Sequence, residues 1–446
     1  MNSYDLYVKT PPLKLFLLVS VPGSISMLAG SLWGLFDGIF VGQLLGETAF
    51  AALNLAFPLV FINFSLADLI GVGSSVPISI ALGRKQKQEA GNYFSCALLL
   101  IWLTGIFMGM MLYLSAPYLI SLMGAEGELA DMATKYLQLY ALFSPLTTIV
   151  FALDNFLRIS GKIKTSMALN IVMSVLILGL EYFCLAVLKM DIGGSAIAVS
   201  VGMIICAFVA LWQFRGGRLP LCFGRPQFTP ELIKQIVANG SPVFLSNVSG
   251  RLVSILMNVV LLSVGGQAAV SIYGILLYAG DILQQLMYGA CDSAQPAIGY
   301  NWGAGQLGRV KSLLACSMAA GAVISLGGMV LMLLAPAQVV LLFIKPEDIH
   351  LLEPAVYALR LFSFTFLTRW FSFVVQGLFV ALEKPLPAAV LSVGNACVLP
   401  VLLLAVLWPL GLDGLWLNMP ITSALVAVLA AVMLFRLGAS LSTTQN

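Results

Sequence analysis

From Lys14 to Leu44 the chain reads KLFLLVSVPGSISMLAGSLWGLFDGIFVGQL, and after its opening lysine this run carries a single charge, Asp37. A bilayer core is crossed by ~20 apolar residues in a helix. The run exceeds that length and lacks the alternating polar and apolar period of a barrel strand. A helix satisfies its own backbone hydrogen bonds, which lipid cannot do, so a transmembrane helix is the reading. Similar runs follow along the chain. The expected spans are 14–44, 50–82, 92–119, 132–160, 165–188, 194–214, 233–264, 269–302, 312–337, 352–382, 387–409 and 414–436. The fold class is therefore all-α and integral to a membrane, with twelve transmembrane helices. Composition agrees: 60% of the 446 residues are hydrophobic and 9% charged, against about 25% charged in soluble domains. That is too little polar surface for a water-facing globule, and it excludes a soluble enzyme.

Charge placement supports the count. With twelve spans, sixteen basic residues fall on the side of the amino terminus, among them Arg84, Lys85, Lys87, Lys162, Arg218, Arg309 and Lys384. Only Lys135, Lys189 and Lys345 fall on the other, beside Glu126, Glu128, Asp131, Glu347, Asp348 and Glu353. Cytoplasmic loops carry the Lys/Arg excess, so both termini are expected in the cytoplasm of a multi-pass cell (inner) membrane protein. The first apolar run has no small-residue cleavage site after it and reads as a helix rather than a signal peptide. The seven cysteines are scattered without CxxC spacing, and no disulfide framework is expected.

Shifting the chain on itself by about 220 residues brings landmarks into register. Pro22 falls on Pro242, Gly46 on Gly266, Ala49 on Ala269, Gly83 on Gly303 and Gly194 on Gly414. An even number of helices separates equivalent points, so the two halves point the same way. Parallel repeats of this kind are related by an axis along the membrane normal, with substrate sites between them near the midplane. The expected organisation is an amino-terminal six-helix lobe at 1–214, a cytoplasmic linker at 215–232 and a carboxyl-terminal six-helix lobe at 233–446.

A charge inside the bilayer costs at least ~2.5–3.5 kcal/mol, so such groups face a cavity or a partner. Asp37 in the first span and Glu181 in the fifth both lie in the outer half of the first lobe, and neither has a basic residue at similar depth in its own helix. Two carboxylates in a dry site without a cation cannot both stay charged cheaply. The pair is a natural place for a proton or a transient Na⁺; the plainer alternative is hydrogen bonding to neighbouring serines and helix ends. Asp154 precedes Arg158 by four residues, on one helix face, and a structural ion pair is expected there. Asp68 could be structural or coupling.

The second half carries polar stripes. Asp281, Gln284, Gln285, Tyr288, Asp292 and Gln295 follow one face of the eighth span. Asn247, Arg251, Ser254 and Asn258 do so in the seventh, and Thr365, Arg369, Ser372 and Gln376 in the tenth. Such stripes line a water-filled cavity or bind helices together. A cavity lined by Arg251, Asn258, Asp281, Gln284, Gln285, Tyr288, Asp292, Arg369 and Gln376 is favoured, with Arg251 and Asp281 neutralising one another at similar depth. There is no GxxxxGK[ST] loop, the one histidine is His350, and no His/Cys cluster has ligand spacing. Neither ATP hydrolysis, nor a permanent metal, nor any other enzyme activity is expected, and no cofactor or nucleic acid.

The run Phe36-Asp37-Gly38-Ile39-Phe40-Val41-Gly42-Gln43-Leu44-Leu45-Gly46 resembles a signature of the multidrug and toxic compound extrusion (MATE) family. So does Gln295-Pro296-Ala297-Ile298-Gly299-Tyr300-Asn301-Trp302-Gly303-Ala304-Gly305. Phe156-Leu157-Arg158-Ile159-Ser160-Gly161-Lys162 looks like the family's fourth-helix end, and Gly193-Gly194-Ser195-Ala196-Ile197-Ala198 like its sixth-helix start. The resemblance implies a two-lobed V around a central cleft and export of cationic amphiphilic drugs against a Na⁺ or H⁺ gradient. It implies that Asp37 is the cation-binding acid. Many members add an aspartate in the fifth helix, where this chain has the longer Glu181. Some use a glutamate in the seventh helix, where this chain has Arg251 and no acid. The expectation is a monomeric secondary multidrug antiporter. The rival is a flippase for a lipid-linked precursor on a related fold, whose anionic head group Arg251, Arg360 and Arg369 would bind.

Overall fold

The computed structural model describes residues 2–217, 219–343 and 346–443. Among the described residues, nine helical stretches are long and apolar enough to cross a membrane. Two of these are too long for one crossing, at 74 residues for Pro230–Gly303 and 55 for Pro385–Ala439. The first turns at Gly266 (φ 66°) and the second at Gly411 (φ 61°), backbone angles that glycine adopts without a Cβ penalty. A further crossing is made by Ile349–Ser363 and Thr365–Ala381, bent by 41°. Nine stretches, one more for each divided stretch and the bent pair give twelve spans.

They are α1 (Pro12–Leu45), α2 (Glu47–Gly83), α3 (Lys87–Leu122), α4 (Gly127–Ile159), α5 (Ile163–Val187), α6 (Ile192–Arg215), α7 (230–265), α8 (267–303), α9 (Leu307–Leu334), α10 (Ile349–Ser363 with Thr365–Ala381), α11 (385–410) and α12 (Gly411–Thr443). The last helix runs beyond the expected end at 436, to Thr443. Lys345, expected on the acidic side, lies outside the described residues, as does Arg218 on the basic side.

The duplication is visible in the backbone. Gly46 (φ 92°) turns the chain between α1 and α2, and Gly266 (φ 66°), 220 residues later, turns it between α7 and α8. The lobes meet as a two-fold predicts. α2 packs on α7, where the Leu69 and Ile236 carbonyls leave no space for a Cβ on Gly240 and Gly73 respectively. Their counterparts α8 and α1 pack likewise, with Gly289 against the Ser24 backbone.

Core distribution gives the shape. One buried apolar cluster is shared by both lobes on the side of the basic loops, and includes Leu15, Ile78, Phe156, Ile298, Tyr300 and Phe379. On the opposite side the core divides, with Leu53 and Tyr136 in a first-lobe cluster and Leu261 and Phe362 in a second-lobe one. The molecule is thus a V, closed on the basic side and open on the other. Its outer surface exposes Leu114, Leu334 and Phe435 by 72%, 81% and 80%, as an apolar solvent allows.

A short amino-terminal helix, Ser3–Lys9, lies across the closed side. The Tyr7 hydroxyl donates to the Arg158 carbonyl in the first lobe. Its ring stacks on Tyr300 of the second lobe at 4.6 Å. Asn301 donates to the Tyr7 carbonyl at 2.9 Å, and Arg309 donates to the Tyr7 and Thr10 carbonyls. The helix therefore clasps both lobes.

Candidate functional site

The acids expected to pair do come together. α1 places Asp37 and α5 places Glu181 in the interior of the first lobe, each with no solvent exposure. The carboxyl groups face one another within interaction distance, and Ser195 at the start of α6 adjoins both. Asp37 Oδ1 accepts from the Ser195 hydroxyl at 3.2 Å. Asp37 Oδ2 and both Glu181 oxygens have no donor. No lysine or arginine is among the groups acting on either acid. The buried Tyr136 of α4 stands beside the pair. Acceptors confronting acceptors in a dry site require a positive species between them, and a proton or a small cation would supply the missing partner. The hydrogen bond to a serine, set out as the plainer alternative, is present for Asp37 by this geometry.

Local structure shapes this site in a way the sequence did not announce. α5 widens into a π-turn at Phe183–Val187, two residues past Glu181, with the Leu188 N–H reaching back to the Phe183 carbonyl at 2.9 Å. Such bulges recur at functional sites. Tyr136 was missed, although Tyr136, Tyr140, Ser144 and Thr147 form a helical stripe on α4. The stripe faces α2, where Asn63 donates to Tyr140 at 3.1 Å and to Ser144 at 2.7 Å. The second lobe has no equivalent acid pair: at the 220-residue offset Asp37 meets Met257 and Glu181 meets Val401.

In the second lobe, the expected neutralisation of Arg251 by Asp281 is corrected. No ion pair joins them among the described residues. The exposed Arg251 guanidinium instead lies over the ring of Phe61 in the first lobe, 4.5 Å from its centre. Asp281 acts on Arg369 of α10, as does Tyr288. Tyr288 sits edge-on to Phe373 at 5.0 Å, and the buried Gln284 Oε1 has no donor. Gln295 donates to Asp292 at 2.9 Å, and both lie beside Gly377, next to Gln376. Asn258, Gln285 and Gln376 are half-buried. The stripe thus mixes internal hydrogen bonds with exposed or half-exposed polar groups.

Asp154 and Arg158 form the expected ion pair at 2.7 Å. Asn170 and Ser166 donate to Asp154, and Arg158 Nη1 donates to Ser293 of the second lobe at 2.9 Å. This reach across the lobes adds a seam contact to the structural role. Asp68 is half-buried, and among the described residues no ion pair includes it. Among the described residues no cluster of His, Cys, Asp and Glu could hold a metal by three or more ligands.

The MatE family model matches residues 22–183 and again 242–406. The two matches start 220 residues apart (242 − 22), the same offset as the internal repeat. The chain is 25% identical to the multidrug export protein MepA of Staphylococcus aureus (strain MSSA476), covering 98% of this chain and 97% of that one. It is 23% identical to MepA of Staphylococcus saprophyticus, over the same shares. Among solved structures it resembles a MATE protein in complex with MaL6, at a TM-score of 0.93 and 21% identity over 98% of this chain and 99% of that one. An outward-facing multidrug resistance MATE transporter matches at 0.92 and 22%, over 98% of each chain.

Proposed function

The chain belongs to the MatE family, and from that premise we propose that it is a secondary multidrug efflux antiporter, exporting cationic amphiphilic compounds in exchange for H⁺ or Na⁺. The observation that carries the coupling is the Asp37–Glu181 pair, buried together with no lysine or arginine acting on either. The substrate class follows the MepA relatives, which are named as multidrug export proteins and align along nearly the whole chain. The lobes are 1–214 and 233–446, joined by a linker at 215–232. The basic side is cytoplasmic, by the Lys/Arg bias, and the V then opens outward.

In this state drug leaves the cleft as the ion loads between Asp37 and Glu181. An ion biases a two-state equilibrium only by binding one state better than the other. Neutralising the acid pair by a bound cation supplies that difference, and the lobes rock to open inward. The second-lobe residues Asp281, Gln284, Gln285, Tyr288, Asp292, Arg369 and Gln376, with Arg251 and Asn258, line the drug path. The flippase alternative is not favoured, since Arg251 is engaged by Phe61 and Arg369 is faced by Asp281. The deciding experiment is ethidium transport in inverted vesicles with a pH gradient and a sodium gradient imposed separately. Uptake driven by one of them supports the antiporter and identifies its ion. Uptake driven by neither rejects it.

A further inference from the structure

The closed side of the V holds a cavity that drug transport does not use. Its volume is about 360 Å³, and four pieces of chain line it, Pro220 of the linker being one. The amino-terminal helix and its lead supply Asn2, Ser3 and Tyr4; the turn between α2 and α3 supplies Lys85 and Lys87; Tyr300 of the second lobe closes it.

The polar lining is rich in donors. It holds ammonium groups, the Tyr4 hydroxyl and an amide, while the Ser3 hydroxyl donates to Asn2 at 3.4 Å and that of Tyr300 to the Ile159 carbonyl at 2.9 Å. Its acid, Asp5, is already engaged by Lys9 at 2.8 Å. Lys85 and Lys87 enter none of the ion pairs among the described residues. Lys85 sits in left-handed backbone (φ 64°), and its ammonium rests over the Tyr4 ring at 4.9 Å. Two ammonium groups outside any ion pair, lining one concavity beside the Tyr4 hydroxyl, suit an anion with several acceptor oxygens. Lysine binds phosphate in this way, as a point charge.

The position selects the carrier of that phosphate. The cavity lies where the spans end on the basic side, at head-group level. Immediately after the helix that walls it, Leu13, Leu17 and Val21 form an exposed stripe one turn apart, at 63%, 51% and 53% exposure. Acyl chains can lie along that stripe while the head group turns inward. We propose that the cavity is a binding site for the phosphate of an acidic glycerophospholipid, held by Lys85 and Lys87 with Tyr4. Because its walls include the clasping helix and Tyr300, the bound phosphate strengthens closure of the basic side.

The test uses full-length protein in phosphatidylcholine nanodiscs containing a minor fraction of phosphatidylglycerol, with no drug and no gradient, so its result is independent of the transport proposal. Native mass spectrometry reads which lipid is retained. Wild type is expected to retain phosphatidylglycerol preferentially, and Lys85→Gln with Lys87→Gln to lower that preference about tenfold or more, since each lysine at an anionic surface contributes ~1 kcal/mol. Lys162→Gln with Lys164→Gln, exposed on the same side but not part of the cavity's lining, is expected to change it little. Equal retention in wild type and the Lys85/Lys87 variant overturns the site. So does an equal loss in the Lys162/Lys164 variant, which would mark a general surface attraction. A parallel arm adds inorganic phosphate to discs of phosphatidylcholine alone. Binding there that depends on Lys85 and Lys87, without lipid selectivity, keeps the site and assigns it to free phosphate.

Discussion

Gly83 and Gly303 stand across the seam from one another, each against the backbone of the other's helix: a Cβ on Gly83 would overlap the Tyr300 carbonyl, and one on Gly303 the Ile80 carbonyl. Since 83 and 303, like 80 and 300, differ by 220, this contact is its own symmetry mate, and the two-fold axis of the repeat passes through it.

Adding a methyl group there should therefore disfavour the state closed on the basic side. Gly83→Ala or Gly303→Ala is expected to cost this state ~1–3 kcal/mol by overpacking, shifting the population about 5- to 150-fold toward lobes parted on the basic side. Spin-label distances across that side in nanodiscs would report it. An unchanged distance distribution would contradict the packing described.

Asp37→Asn and Glu181→Gln should each reduce ethidium efflux to near the level of cells lacking the transporter. Thermal stability should hold or rise, because an uncompensated carboxylate is removed from a dry site. Substantial gradient-driven efflux by Asp37→Asn would remove this acid from the mechanism.

Tyr7→Phe keeps the stacking on Tyr300 and deletes only the hydroxyl that reaches the Arg158 carbonyl. A lost hydrogen bond of this kind is worth ~0.5–1.5 kcal/mol, so the clasp should open about 2- to 10-fold more often. Hydrogen exchange over residues 2–10 of the full-length protein measures this directly. Exchange equal to wild type would mean the hydroxyl does not hold the helix down.

On the acidic side, Asp191 caps α6 by accepting from the Gly193 N–H at 3.0 Å and pairs with Lys135. The lysine holds its carboxyl below the usual aspartate range, with the amide of Gly193 helping. A depressed value in the folded state stabilises above the unfolded pKa of ~3.9 and fades as pH falls through the lower folded value. Asp191→Asn should cost ~0.2–1 kcal/mol, as exposed pairs do, constant above about pH 5 and vanishing in stronger acid. Asp191→Ala, which also loses the cap, should cost about 1 kcal/mol more. A melting-point difference between wild type and Asp191→Asn that grew on acidification would reverse the sign argued here.

Much of the architecture was legible because hydropathy and glycine placement are one-dimensional signals. Span lengths follow from bilayer thickness, and Gly46 and Gly266 align because both must turn with positive φ. The acid pair was legible because lone carboxylates in apolar runs are costly enough to stand out. What failed was azimuth. Depth along a helix put Arg251 level with Asp281, but only packing reveals that one turns to Phe61 and the other to Arg369. The clasping helix was equally hidden, since Tyr7 is far in the chain from Tyr300 and Arg309 and no periodicity connects them.

The two halves share a frame but not a chemistry. Where the first lobe buries Asp37 and Glu181, the second buries Met257 and carries Val401. On the proposed coupling, an electrochemical gradient acts on the molecule through one half, and the other half moves as a passenger, dragged through the glycine contacts that join them. A tandem of two first lobes would have an engine on each side, and with it twice the ion demand for every molecule expelled.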